Sequence, residues 1–218
     1  VEENTPCSFH IVEGYSDYHP EHPGGLPTGG RSLDNALFSL SELGEWATKV
    51  RNDGMRRPVM ITETPLGGAT APPSREVMSA RTERNESGMG LALVAALLKG
   101  VLDRGIEPQT ESRALRLLKD ETGVCGVSIK SGDSEKEVIA RKGVIIATGG
   151  FEWNPELVRT FLRGPMTAPV GNPENTGDGL EMVWGWSWDG LGMVSGYPWG
   201  WSGDTPGDGL GMVWRYPW

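Results

Sequence analysis

The chain has 218 residues, of which 37% are hydrophobic, and it carries a formal net charge of −9 at pH 7. This length and this hydrophobic content allow one substantial domain or two small ones with a buried core. A strongly acidic chain lacks the basic surface with which proteins bind nucleic acid or anionic membranes, so we expect neither as a partner.

The cysteine content and the apolar runs indicate where the protein works. Cys7 and Cys125 are the two cysteines, and they form neither a disulfide framework nor a metal-binding cluster, which favours a reducing compartment and a cytoplasmic location. The longest apolar run, residues 91–98, is too short to cross a bilayer. The chain starts at Val1 without the features of a signal peptide, and a start without methionine suggests a piece of a longer protein.

The first 30 residues are predicted to be extended segments and turns. Residues 9–12 (FHIV) predict a strand, whereas the prolines and glycines of residues 19–25 (HPEHPGG) exclude a helix. All three histidines, His10, His19 and His22, lie here. Because no cysteine pair accompanies them, we expect no metal site.

Three helices and one long loop are predicted from hydrophobic periodicity and from the positions of capping, proline and glycine residues. Residues 33–50 and 88–104 both carry an apolar face at helical spacing. Residues 155–163 predict a short helix capped by Asn154. Residues 51–79 are rich in Pro, Gly, Thr and Arg, which predicts a long loop or an insertion.

The middle of the chain alternates short β-rich runs with turn sequences. The runs at residues 114–118, 124–130 and 137–140 predict a three-stranded antiparallel meander. Residues 143–147 (GVIIA) are apolar throughout and β-branched at 144–146, which predicts a fully buried strand at the centre of a parallel sheet.

Two small-residue turns carry the strongest indication of function. Residues 141–152 (RKGVIIATGGFE) break from an apolar run into a turn, and residues 175–180 (NTGDGL) place one acid, Asp178, between glycines. Small residues let the backbone approach a ligand closely, and a lone acid accepts hydrogen bonds from hydroxyls. The order of the two turns predicts a nucleotide cofactor across the end of a sheet. The plain alternative is ordinary turn chemistry, since Asp and Gly favour turns in any case.

These turns and the meander resemble the FAD-dependent oxidoreductase 2 family, which includes fumarate reductase and 3-ketosteroid Δ1-dehydrogenase. Residues 15–25 (YSDYHPEHPGG), 30–33 (GRSL) and 92–100 (ALVAALLKG) look like the ketosteroid dehydrogenase branch. The resemblance covers about residues 9–182, less well between 51 and 79. It implies an α/β fold: a partial Rossmann-like FAD-binding domain with a β-meander over residues 1–182.

The resemblance also implies a cofactor and a set of site residues. Contacts to FAD would come from Ala114, Ala147, Thr148, Gly149, Gly150 and Asp178. Tyr18 falls where the steroid dehydrogenases present a tyrosine to the substrate, although Tyr15 is close by. Tyr18 is the single catalytic candidate, and its alternative reading is a partly buried structural tyrosine.

The implied chemistry is hydride transfer between FAD and a C–C bond beside a carbonyl or carboxylate. The substrate would be a small molecule, either a steroid or a dicarboxylate. The family's opening glycine-rich pyrophosphate turn is missing from the printed sequence. A catalytically inactive fragment that does not bind FAD is therefore an alternative.

Residues 183–218 differ in character from the rest of the chain. Seven of the nine tryptophans fall between Trp184 and Trp218, among repeated glycine-rich phrases of irregular spacing. We expect an irregular tail, which is either a low-complexity segment or an artificial extension. The functional alternative is a module that binds carbohydrate or lipid surfaces through its tryptophans.

Overall fold

The computed structural model describes residues 1–52 and 57–188, with side chains through residue 184 at the C-terminal end. The chain divides into two compact units, Val1–Pro108 and Gln109–Trp218. The described strands form three small antiparallel sheets, two in the first unit and one in the second. No helix among the described residues is both long and apolar enough to cross a membrane.

Two short sheets organise the first unit. Strand β1 (Phe9–Glu13) pairs antiparallel with β2 (Gly29–Asn35), which confirms the strand predicted at residues 9–12. Strand β3 (Phe38–Ser39) pairs antiparallel with β4 (Glu86–Ser87). Each sheet therefore joins segments that are distant in sequence.

Two helices and a 3-10 stretch complete this unit. The 3-10 stretch covers Leu40–Thr48 and is kinked at Gly44, whose φ is 58°. Helix α1 (Arg75–Glu83) starts after Ser74, whose hydroxyl accepts a hydrogen bond from the Val77 amide. Helix α2 (Met89–Leu102) confirms the helix predicted at residues 88–104.

The helix predicted at residues 33–50 is wrong. Leu33 pairs with Ile11 in the β1–β2 sheet, and Asp34 is almost fully buried. Residues 38–39 form β3, and residues 40–48 wind as the tighter 3-10 stretch, broken at Gly44. Pairing with β1 satisfies the backbone of the first residues of this segment, so long-range contacts override its helical periodicity.

The core of the first unit forms around the alanine face of α2. Ala92, Ala95 and Ala96 recur at helical spacing and are buried. Their small side chains allow close packing on the segments beside the helix. The same core cluster also contains Cys7, Phe38, Leu40 and Leu43.

A partly buried ion pair holds the loop-rich segment. Before α1, the described part of residues 51–79 contains only the 3-10 turns Ile61–Glu63 and Pro65–Gly67. The predicted loop is wrong for residues 75–79, because α1 begins at Arg75. Arg81 of α1 donates two hydrogen bonds to the Glu63 carboxylate, at 2.7 and 2.6 Å. These hydrogen bonds lower the pKa of Glu63 from its ordinary value of 4.5.

The second unit contains the predicted meander. Strands β5 (Ser112–Asp120), β6 (Gly123–Ser131) and β7 (Ser134–Ile139) pair in sequence order, all antiparallel. Helix α3 (Pro155–Phe161) begins as predicted, because the Asn154 side chain accepts hydrogen bonds from two amides of its first turn. The α/β class is thereby confirmed for the described residues.

The parallel strand predicted at residues 143–147 is wrong for this structure. The segment is irregular, and the Ile145 side chain is 93% exposed. A strand requires a neighbour that pairs its backbone, and none of the described segments pairs with this one. Among the described residues, the parallel sheet of a Rossmann-like domain is therefore not present.

Helix α4 (Asp178–Trp188) extends into the expected tail. Residues 183–188 are helical, so the expectation of irregular structure is wrong for them. The Trp184 ring packs against Phe161 of α3 with 4.9 Å between ring centroids. Residues 189–218, which carry the remaining repeated phrases, lie outside the described residues.

We predict that Arg81→Met lowers the free energy of unfolding by about 1–3 kcal/mol, because it leaves the Glu63 carboxylate partly buried without its partner. Side-chain exposure of this pair is only 12% for Arg81 and 21% for Glu63. Arg116→Met is the matched control, because Arg116 pairs with Glu135 where both side chains are about half exposed, so its loss should cost at most about 1 kcal/mol. Thermal unfolding followed by circular dichroism measures both changes.

The pH dependence of the same pair has a defined sign. A carboxyl whose pKa is lower in the folded state than in the unfolded state stabilises the fold at pH values above its unfolded-state pKa. This stabilisation is lost as the pH falls through its folded-state pKa. The difference in unfolding free energy between wild type and Arg81→Met should therefore be largest at pH 7 and shrink as the pH falls below the ordinary pKa of 4.5. A difference that persists unchanged in strong acid would contradict the role of the ion pair.

Candidate functional site

The two predicted turns of the second unit lie against each other. The Gly177 amide donates a 3.0 Å hydrogen bond to the Gly150 carbonyl, and the Trp153 amide donates one of 3.1 Å to the Asn175 carbonyl. We call this contact between residues 150–154 and 175–177 the clasp. It fixes the small-residue turn at 147–150 next to the start of α4.

Side chains reinforce the clasp. The Asn154 amide group donates to the Thr176 carbonyl at 3.0 Å, in addition to capping α3. The Asn175 amide group donates to the Glu152 carboxylate at 2.6 Å. This hydrogen bond is the main reason that the pKa of Glu152 lies below its ordinary value. The two turns are therefore joined by backbone and side-chain bonds together.

Gly177 is required by the packing of the clasp. Its φ of 84° lies in the left-handed region that favours glycine. A Cβ at this buried position would overlap the Leu157 side chain and lie 3.0 Å from the Phe151 Cβ. The glycine-rich turns predicted that the backbone comes close to a ligand. At Gly177 the close approach is between two parts of the chain itself.

Asp178 is held in one orientation at the start of α4. Its carboxylate accepts two hydrogen bonds from Arg113 of β5, at 2.8 and 3.1 Å, and one from the Thr176 hydroxyl at 2.7 Å. Partial burial raises the pKa of Asp178, but the hydrogen bonds from Thr176 and Arg113 and the charge of Arg113 outweigh it, so the pKa is lowered. The acid is therefore a carboxylate at neutral pH and an acceptor of fixed direction.

The second unit brings together all the residues expected to contact the cofactor. Ala114 lies on β5, half-buried and opposite Ile129, directly after Arg113. The clasp connects the turn at 147–150 to Asp178, and Asp178 connects to β5 through Arg113. The turn residues are all exposed: Ala147, Thr148, Gly149 and Gly150.

Arg113 is the site residue that the sequence did not single out. It stands immediately before a residue that was selected, but a lone arginine in a strand gives no signal by itself. Its role depends on a partner 65 positions away, Asp178. The antiparallel register of β5 fixes which of its residues can reach that partner, and no local pattern shows this.

Tyr18 lies in the first unit and is not a buried structural residue. Its side chain is 87% exposed, which makes the alternative of partial burial wrong. The Tyr18 and Tyr15 hydroxyls lie 3.4 Å apart and share a hydrogen bond, and the two rings meet edge to face. This hydrogen bond is the main cause that raises the pKa of Tyr15.

Comparison with known families identifies the chain. The model of a family described as the FAD binding domain matches residues 31–210. The chain belongs to this family. It is a member of the FAD-dependent oxidoreductases that the two turns and the meander resemble, and FAD is the cofactor of the domain.

Curated relatives extend the same comparison. The chain is 32% identical over 190 residues to 4-oxocyclohexanecarboxylate 2-dehydrogenase of Sinomonas cyclohexanicum, covering 84% of this chain and 32% of the relative. It is 31% identical over 207 residues to 3-oxosteroid 1-dehydrogenase of Mycobacterium tuberculosis, covering 83% of this chain and 36% of the relative. The chain thus spans about a third of the length of these relatives.

A solved structure shows the fold. The crystal structure of 3-ketosteroid delta1-dehydrogenase from Sterolibacterium denitrificans, in complex with 1,4-androstadiene-3,17-dione, superimposes with a TM-score of 0.67. The match covers 84% of this chain and 37% of that chain at 23% sequence identity. The chain therefore shares the fold of part of that protein.

The residues of the second unit fit an FAD contact in two respects. The exposed turn at 147–150 offers backbone groups without bulky side chains, which suits close approach of a large planar ligand. Asp178 offers carboxylate oxygens of fixed direction, shared with Arg113 and Thr176. The Arg113 side chain is itself exposed, so a positive charge lies at the same edge.

We predict that Gly177→Ala lowers the free energy of unfolding by about 2–4 kcal/mol, since it combines a left-handed backbone with overpacking against Leu157. Gly164→Ala is the matched control, because nothing lies within 4 Å of its added Cβ and its φ is not in that region. The control should stay within about 0.5 kcal/mol of wild type. Denaturant unfolding measures both, and equal losses would show that the clasp does not depend on Gly177.

Proposed function

We propose that this chain holds FAD in a dehydrogenase or reductase that acts on a C–C bond beside a carbonyl or carboxylate. The observation that carries the proposal is the assembly of the small-residue turn at 147–150, Asp178 and the β5 edge in one compact unit. The membership of residues 31–210 in the FAD binding domain family supports it.

The names of the relatives favour a substrate class. 4-Oxocyclohexanecarboxylate 2-dehydrogenase and 3-oxosteroid 1-dehydrogenase are both named for dehydrogenation of a cyclic ketone next to its carbonyl group. We therefore propose a cyclic ketone, such as a 3-oxosteroid, ahead of a dicarboxylate. When bound, FAD supplies the acceptor of the hydride in such a reaction.

The residues of the second unit would bind and orient the cofactor. The backbone of Ala147, Thr148, Gly149 and Gly150 would run beside it, and Ala114 would touch it with its backbone. Asp178 would accept a hydrogen bond from a cofactor hydroxyl, and Arg113 would hold the carboxylate in place for this contact. Holding these groups in position before the cofactor arrives lowers the entropic cost of binding.

Tyr18 would hold or move the substrate proton. Support comes from its exposed side chain and from Tyr15, whose hydroxyl shares a hydrogen bond with it.

We further propose that residues 1–182 serve one FAD domain, because the family match includes residues of both compact units.

FAD titration of the 218-residue chain tests the cofactor proposal. We predict saturable binding with one FAD per chain. Asp178→Asn should weaken it by about tenfold or more, because a hydrogen bond to a charged group contributes about 1.5–3 kcal/mol. Asp133→Asn, in the exposed β6–β7 turn, is the matched control and should leave the dissociation constant unchanged. Flavin fluorescence quenching measures the binding.

Circular dichroism of the Asp178→Asn chain separates binding from folding. A chain that keeps its spectrum but binds FAD weakly supports the role of Asp178. Absence of binding by the wild-type chain at about 100 μM FAD would contradict the proposal and favour the inactive fragment. A dissociation constant above that concentration corresponds to less than about 5.5 kcal/mol of binding free energy.

Tyr18→Phe tests the proton step. The rate at which the FAD-loaded chain dehydrogenates a 3-oxosteroid is measured through the reduction of an artificial electron acceptor. This rate should fall by about 10²-fold or more, as expected for loss of a positioned proton-transfer group. Tyr15→Phe should retain most of the rate, because it leaves the Tyr18 hydroxyl in place. If the two variants behave alike, Tyr18 does not have this role.

A further inference from the structure

We propose that the turn at residues 19–22 (HPEH) binds a divalent transition-metal ion through His19, Glu21 and His22. The FAD proposal does not use these three side chains, and the metal proposal does not depend on it. The expectation of no metal site rested on the missing cysteine pair. It overlooked that a carboxylate between two histidines completes a set of three ligands.

The three side chains already converge. The His19 Nδ1 atom lies 3.1 Å from the Glu21 Oε1 atom, and the His22 Nε2 atom lies 3.9 Å from the same oxygen. One ligand atom from each residue falls within 4.8 Å of the others. Ligand atoms bound to one zinc ion at about 2.0–2.2 Å lie about 3–4 Å apart, so only small side-chain rotations are required.

The backbone holds the histidines on the same side of a tight turn. The His22 amide donates a 3.3 Å hydrogen bond to the His19 carbonyl, which closes the turn, and Pro20 occupies the position at which proline is preferred. The Gly25 amide donates a 2.8 Å bond to the His22 carbonyl. The two imidazole rings consequently lie close together, with 5.4 Å between their centroids and 49° between their planes.

The loop around the turn is anchored on both sides. Asp17 accepts a 2.8 Å hydrogen bond from the Leu26 amide and forms an ion pair with Arg31 of β2. Arg31 also donates to the Gly24 carbonyl at 3.0 Å. This network lies outside the three proposed ligands, so it can fix the loop whether or not a metal is bound.

The ligand set favours zinc-like ions over magnesium. Two imidazoles and one carboxylate suit Zn²⁺, Fe²⁺, Co²⁺ or Ni²⁺, whereas Mg²⁺ prefers oxygen ligands alone. All three residues are exposed, so water can complete the coordination. Tyr18 directly precedes His19, so an ion in this turn would also restrict the backbone beside that tyrosine.

Zinc binding by the metal-free full chain, without a histidine tag, tests the proposal. Competition of Zn²⁺ with a chromogenic chelator should give one site per chain. His19→Ala, Glu21→Ala and His22→Ala should each weaken binding by at least about tenfold, because even residues that only support a ligand change affinity by about 10–100-fold. Excess Mg²⁺ should not compete.

His10→Ala is the matched control, since His10 is an exposed histidine on β1 outside the turn. It should bind zinc as the wild type does, and circular dichroism should show that all four variants remain folded. The proposal is overturned if the wild type binds no zinc at about 100 μM. It is also overturned if His10→Ala weakens binding as much as His22→Ala. FAD is left out of this assay, so failure here leaves the FAD proposal unaffected.

Discussion

The hydrogen bond from the Gly177 amide to the Gly150 carbonyl is the constraint on which the proposed cofactor site depends. It joins two turns that are more than 20 positions apart in sequence, and it is possible only because Gly177 has no side chain to collide with Leu157. Once these turns are in contact, the start of α4 is fixed beside the exposed segment at 147–150. The site is therefore a product of one backbone contact and its surrounding side chains.

The ion pair between Arg113 and Asp178 extends this arrangement to the meander. It attaches the first residue of α4 to β5, so that a strand, a turn and a helix start meet at one edge. A carboxylate near the positive end of a helix is favourably placed, and its pairing with arginine fixes its direction. A ligand that contacts this edge meets oriented groups, which fits the FAD binding domain family to which the chain belongs.

The first unit presents its chemistry differently, on an exposed loop between β1 and β2. Tyr18 and the turn at 19–22 follow each other in this loop, and Asp17 with Arg31 holds its base. Anchored loops commonly carry functional groups because the scaffold sets their position and leaves their side chains accessible. The proton-transfer and metal proposals both rest on this combination of fixed backbone and exposed side chains.

The sequence by itself determined several of the local elements and the family. The meander, α2 and the Asn154 cap of α3 depend on turn residues, periodicity and capping within a few positions, and the small-residue turns indicated FAD. Tertiary structure alone decided that residues 33–35 form a strand, that residues 143–147 do not, and that Arg113 reaches Asp178. The physical reason is that backbone pairing and ion pairing join residues distant in sequence, whose partners no local pattern specifies.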